Sequence, residues 1–290
     1  MSSGVGHDSE FVRQAAAELQ AVRPMYRDLV GFYRDIFAAQ EDARLRVRFE
    51  PFALPSDRVR MKLKDGFSLI QVPEMRFDAD TTAELLKELC RIAVERQSGL
   101  AGAANIFLVH SAELAPLFPS FLREDASRVK QAAAAMGVDP KALSFFLYHS
   151  LRPSLCRCEH ELSGYLADAP AWERGYCSVC GSPPALAWLE GDGQRFLYCS
   201  FCWHKWPVPR ALCPFCGSRD PQVLSYIYSE DERDYRLDVC NACRRYVKTV
   251  DTRNLARGCY PPLEQIASLH LDIKAAEAGF KAGLVISLPV

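Results

Sequence analysis

The 290-residue sequence lacks any long apolar run. Its best candidates, "NIFLVH" from Asn105 and "GLVISL" from Gly283, fall far short of the roughly 18–20 residues that span a bilayer, so no membrane insertion is expected. An excess of charge is missing too. The 35 basic and 36 acidic side chains leave a formal −1, which removes any general attraction to nucleic acid or anionic lipid. The opening "MSSGVGHDSE" has neither a basic stretch before an apolar core nor a paired arginine, so export is not expected. No nucleophile constellation, phosphate-binding loop or paired-carboxylate motif is found.

Cysteine is what the sequence has in abundance. Twelve occur, and eight of them form four C-x-x-C pairs. In a chain this large, with no export signal, that grouping favours metal ligation in a reducing compartment over disulfides.

Residues 1–172 read as a helical domain. "SEFVRQAAAELQAV" repeats apolar residues at Phe11, Val12, Ala15, Leu19 and Val22, stopping before Pro24. The next segment places Leu29, Phe32, Tyr33, Ile36 and Phe37 on one face. Residues 51–78 read as an irregular connector with a short strand at "FSLIQV". A helix over "DTTAELLKELCRIAVERQ" follows, with Asp80 as its cap. Two later helices are predicted, one closed by Gly137 and one started by Asp139 and Pro140.

The texture changes near residue 174. Short alternating stretches such as "QRFLYC", "DYRLDVC" and "RYVKTV" read as small antiparallel sheets. After residue 260 a single helix is expected over "PPLEQIASLHLDIKAAEAGF". It starts at the proline pair, ends near Gly279, and together with the tail "GLVISLPV" packs back on the helical domain.

"CSVCGS", from Cys177, and "CPFCGS", from Cys213, are nearly the same knuckle. Four thiolates must converge to hold one tetrahedral ion, and two residues between cysteines let a tight turn aim both sulfurs at it. Gly181 and Gly217 relieve the crowding of that turn. Cys177, Cys180, Cys199 and Cys202 form one unit; Cys213, Cys216, Cys240 and Cys243 form the next. This is a tandem repeat of one ribbon with two metal ions per chain, over residues 173–209 and 210–253, with a C-terminal part at 254–290. A cross-braced pairing, in which knuckles one and three share an ion, stays open. An isolated ribbon has little core, so each metal supplies on the order of 10 kcal/mol of local folding free energy.

The remaining cysteines read blandly. Cys90 sits among leucines, Cys259 has no evident partner, and Cys156, Cys158 and His160 in "CRCEH" read as helix packing rather than a third site. His204 reads as an exposed histidine. Trp203 and Trp206 cover the ribbon or, together with His204, dock a partner. The acidic turn "EDERD", Glu230–Asp234, reads as solvated.

Three functions compete: a nucleic-acid binder, an electron carrier and an accessory protein. Residues 174–253 carry 11 basic and 9 acidic side chains, and eight thiolates with two divalent ions bring the total to about −2, a poor phosphate surface. Iron in four thiolates can cycle redox state, yet a simple carrier needs no large helical body.

The run from Cys177 to Asp251 resembles the formate dehydrogenase accessory (formation) proteins, the FdhE family. Cys177, Cys180, Gly181, Ser182 and Pro184 match that family's opening motif; Cys199, Cys202, Cys213, Cys216, Cys240, Cys243, Tyr246 and Lys248 match the rest. The resemblance implies an α+β protein: an N-terminal helical bundle, two tandem rubredoxin-like or zinc-ribbon-like modules, and a C-terminal helix. It also implies a cytoplasmic maturation factor that binds the catalytic subunit of a formate dehydrogenase, with iron favoured over zinc. Sulfur-only ligation leaves no open metal position, so no catalytic residue is expected and the protein reads as a non-enzyme.

Overall fold

The structure, a computed structural model, describes residues 8–283 apart from 168, 170 and 231. Most of the tail "GLVISLPV" and Asp231 of the acidic turn lie outside the described residues. Helices build the first part. α1 (Ser9–Val22) begins where the Asp8 carboxylate accepts the Phe11 N–H at 2.7 Å. α2 (Arg27–Arg44) follows a 3-10 turn at Pro24–Tyr26 and buries Phe32, Tyr33, Ile36 and Phe37, as its periodicity predicts. α3 (Ser56–Lys64) interrupts the connector that reads as irregular in sequence.

α4 (Ala79–Glu95) is capped by Asp78 rather than Asp80. The Asp78 backbone is extended, and its carboxylate accepts from the N–H of Thr81 and of Arg48. Three short helices, α5 (Ala101–Val109), α6 (Ser111–Leu114) and α7 (Leu117–Leu122), lead to α8 (Ala126–Met136), which Gly137 closes in the left-handed conformation. α9 (Pro140–Ser163) is the central rod: Asp139 caps it, and the segment from Phe145 to Leu155 is buried all round. Among the described residues no single helix is long and apolar enough to cross a membrane.

Six of the seven strands of a single sheet then run in the order β3-β2-β1-β6-β5-β4, so the two ribbons are joined rather than separate. They are β1 (Pro184–Glu190), β2 (Gln194–Cys199), β3 (Lys205–Val208), β4 (Leu224–Tyr228), β5 (Tyr235–Cys240) and β6 (Arg245–Asp251). Each ribbon is an antiparallel three-stranded unit, and the parallel pairing of Leu186–Leu189 with Lys248–Asp251 joins them edge to edge. The join removes two unpaired strand edges.

The sheet's two faces enter different cores. Ala187, Leu197, Trp206, Val208 and Val247 pack with the helices. Leu186, Trp188, Leu237, Val239 and Val250 pack with Leu271 and Ala275. Those last two belong to α11 (Leu269–Glu277), which follows α10 (Pro261–Ile266) after a break. The single C-terminal helix read from the sequence is therefore two: at the break Ser268 turns its hydroxyl back to the Glu264 carbonyl, 2.8 Å away. A two-residue strand, β7 (Lys281–Ala282), pairs with the start of β6.

A buried polar network ties these parts together. Arg152 of α9 donates to Gln40 and to the Tyr260 hydroxyl, which in turn donates to Glu41 at 2.7 Å. Gln40 also donates to the His149 carbonyl. Burial pushes the His149 pKa down to about 3, so its ring stays neutral beside Arg152.

Candidate metal centres

The two knuckle units fold alike, bond for bond. The Cys177 N–H donates to the Ser182 carbonyl and the Gly181 N–H to the Cys177 carbonyl, both at 2.9 Å. Cys213 with Ser218 and Gly217 with Cys213 repeat this at 2.8 and 3.0 Å. Gly181 and Gly217 take φ of +79° and +75°, the left-handed region that a side chain would strain. The second knuckle of each ribbon makes the same turn without glycine, since Trp203 and Arg244 adopt φ of +60° and +56°. Arg244 is held there by its bonds to the Ala278 and Gly279 carbonyls.

These turns bring the sulfurs together in chain order, so the cross-braced pairing is excluded. In the first centre Cys177 Sγ lies 3.7 Å from Cys202 Sγ, and Cys180 Sγ lies 3.5 and 3.6 Å from those of Cys199 and Cys202. In the second, Cys213–Cys243 and Cys216–Cys240 are 3.6 and 3.7 Å apart. Disulfide sulfurs would be about 2.05 Å apart. A tetrahedron with metal–sulfur bonds of about 2.3 Å has edges of roughly 3.8 Å, so both sets could hold an ion such as zinc or iron.

The two centres differ in their surroundings. All four cysteines of the first are buried, whereas Cys216 of the second is exposed and Cys243 half-buried. Burial pushes the Cys177 and Cys202 thiols well up, while hydrogen bonds from neighbouring sulfurs hold Cys180 well down. Four thiolates this close, this deep, would need a cation to share their charge, and the cluster could hold one. Amides help: the N–H groups of Phe201 and Cys202 point at Cys199 Sγ at 3.3 and 3.5 Å.

The helical part grips the first centre directly. The N–H groups of Leu69 and Ile70 donate to the carbonyls of Ser178 and Val179, inside the first knuckle. This is "FSLIQV", the predicted strand; it meets a turn rather than a strand, so no ladder extends. From α9, the Tyr148 hydroxyl donates to the Ser200 carbonyl at 3.1 Å.

His204, read from sequence as exposed, is buried between Glu159 (2.8 Å) and Ser178 (3.2 Å). Trp206 is buried too, stacked on His204 and donating to the Arg174 carbonyl; Trp203 donates to the Tyr148 hydroxyl. His204 and Trp206 are therefore not surface anchors for a partner, while Trp203 is half-buried. All three fasten the ribbon to the helices, which the sequence does not reveal because their acceptors lie 32 to 55 positions away.

Among the described residues "CRCEH" forms no third site: Cys158 is buried and donates to the Arg76 carbonyl, and His160 is exposed. Cys90 lies in the core as expected. Functionally relevant residues missed in the sequence are Glu159, Tyr148 and Leu69–Ile70. The acidic residue inside "CRCEH" was the one available hint.

Protein prepared under reducing, anaerobic conditions is expected to carry two metal ions per chain. A chelator should remove the ion of the second, more exposed centre first. Metal analysis on timed aliquots checks this, and one ion per chain, or equal release rates, contradicts it.

No protein-family model matches the chain. It is 34% identical over 154 residues to an FdhE homologue from Aquifex aeolicus, covering 50% of this chain and 51% of that one. An FdhE homologue from Edwardsiella ictaluri is 33% identical over 152 residues, 51% of this chain and 47% of the other. The matched region thus spans about half the length of these curated relatives. The crystal structure of the FdhE protein from Pseudomonas aeruginosa shares the fold with a TM-score of 0.66 and 20% identity, over 98% of this chain and 97% of that one. The chain is thus similar in sequence to FdhE homologues over about half its length, shares the fold of an FdhE protein over nearly all of it, and carries two four-cysteine clusters in its C-terminal half.

Proposed function

We propose that the chain is a cytoplasmic accessory factor rather than an enzyme. In this reading it binds the catalytic subunit of a formate dehydrogenase and is needed for that subunit to become active. The observation that carries this is the pair of all-sulfur centres built into a helical body much larger than metal binding requires. Four protein thiolates per ion leave no position for water or substrate, so the centres serve structure or electron exchange rather than Lewis-acid chemistry. The family's name supports the choice of client. Iron is favoured over zinc on the resemblance, and either ion suits the donor set.

A second reading, a rubredoxin-like electron carrier, gains from one feature. Cys216 is exposed, so the second centre lies near enough to the surface to exchange electrons. A deletion strain separates the two. Cells lacking the protein should still synthesise the catalytic subunit but lose formate dehydrogenase activity, and the purified protein should capture the immature subunit while oxidising no formate. Normal activity in that strain, with no redundant homologue present, rejects the accessory role and leaves the carrier.

A further inference from the structure

The geometry points to a recognition site beside the second centre: we propose that a cleft there binds an extended, carboxylate-bearing peptide segment of a partner protein. The sheet face that packs on the helices across β1–β3 is left open over β4 and β5. Between that open face and the loop Arg210–Phe215 lies a cleft of about 250 Å³. Arg195, Arg210, Arg236 and Arg245 all line it, against one carboxylate, Asp238.

Asp238 is already shared. It accepts from Arg195 at 3.0 Å and from Arg236 at 2.8 Å. Arg210 is held by the main-chain carbonyl of Gly193 at 2.6 Å and by that of Asp192. Arg245 makes no ion pair among the described residues; its guanidinium rests over the Phe215 ring. Arg195 is 3% exposed, and its Nε has no partner among the described residues. A buried guanidinium with an unmet donor is costly to keep unless something accepts from it. Even a formal −2 from four thiolates and a divalent ion at the cleft's edge leaves it positive.

The edge strand decides the form of the ligand. β4 is the outer strand of the sheet, and its sequence "LSYIY" has no charge and no proline, the usual devices that stop an edge from pairing. Tyr226 and Tyr228 are 59% and 50% exposed, with their rings 5.8 Å apart, and Arg236 stacks on Tyr226. Tyr226 also lines the cleft. A peptide added to this edge turns alternate side chains, about 6.7 Å apart, toward one face. Acidic residues at every second position would then lie on the cleft side, nearest Arg236 of β5 with Arg245 of β6 one strand farther in, and apolar ones between them on the opposite side. The identity of the protein supplying the segment rests on the accessory reading above; the chemistry of the cleft does not.

The test uses the metal-loaded full chain and two labelled eight-residue peptides, one alternating Glu and Val, the other with Gln in place of Glu. The Glu peptide should bind about tenfold or more tightly than the Gln peptide, and weaken in 0.5 M salt. Arg245→Glu should lose about tenfold or more with two ions still bound, and Tyr226→Lys, on the exposed strand, should also weaken binding. Equal binding of the two peptides, or an unchanged Kd in both variants, overturns the proposal. Displacement of the Glu peptide by millimolar inorganic phosphate would make this a phosphate site and overturn the peptide reading. So would a concentration-dependent dimer broken by Tyr226→Lys without peptide binding, which would make β4 a self-association edge. A deletion strain with normal activity, by contrast, would remove the formate dehydrogenase client and leave the peptide result standing.

Discussion

Cys180→Ser is expected to destabilise the whole chain, whereas Cys216→Ser should spare the helices. The sequence suggests that losing either ion is a local event, but the first centre shares one core with the helical part: Cys177, Cys180, Cys199 and Cys202 pack in the same cluster as Leu69, Phe146 and Leu155. The knuckle is further held by the N–H groups of Leu69 and Ile70 and by the Glu159–His204–Ser178 chain. A structural ion contributes on the order of 10 kcal/mol, comparable to the whole net stability of a domain, about 5–15 kcal/mol. Removing one ligand also leaves three buried sulfurs without a full partner set. The thermal midpoint should fall by roughly 20 °C or more, and the far-ultraviolet helical signal should melt with it. Cys216 is exposed, and its ribbon packs in the second core with α11. There the midpoint of the helical signal should move far less, while one ion per chain is lost. Melting curves and metal content of both variants check this; matching losses of helical stability would show that the centres are energetically equivalent.

Arg152→Met is expected to cost about 3–5 kcal/mol, the usual penalty for removing one partner from a buried charge network. Arg152 is 4% exposed, and beside it stand Glu41 at 8% and the buried hydroxyl of Tyr260. Without the guanidinium the Glu41 carboxylate keeps Arg44 at 2.7 Å but loses the buried cation across the network. The network joins α2, α9 and the start of α10, so the loss should appear as a global fall of about 10 °C in the thermal midpoint with both ions retained. Adding Glu41→Gln should recover part of it, because the second change removes the charge left behind. Additive losses in the double variant would mean that the two residues are not coupled.

The metal ligands were legible because a knuckle is a local device. Two cysteines and a glycine within six residues set a turn, and the turn aims both sulfurs whatever the rest of the chain does. The amphipathic helices were legible for the same reason: Phe32, Tyr33, Ile36 and Phe37 share a face by spacing alone. Choices between near-equivalent local signals were less secure. Asp78 and Asp80 both precede the first apolar turn of α4, and the backbone conformation decides which one caps. The break between α10 and α11 depends on Ser268 bending back to Glu264 while α11 docks on the sheet.

By itself the sequence determined the eight sulfurs, their grouping into two tandem units, and a helical part followed by short strands. Each of these follows from contacts within a few dozen residues, where spacing and turn chemistry constrain the chain. Only the tertiary structure decided that the two ribbons form one sheet through β1 and β6, about sixty residues apart. It also decided that His204 and Trp206 face inward, that the first centre is buried and the second half open, and that four arginines converge on one cleft. Such features arise where distant segments bury apolar area and pair their polar groups together, and no local period records which segments those are.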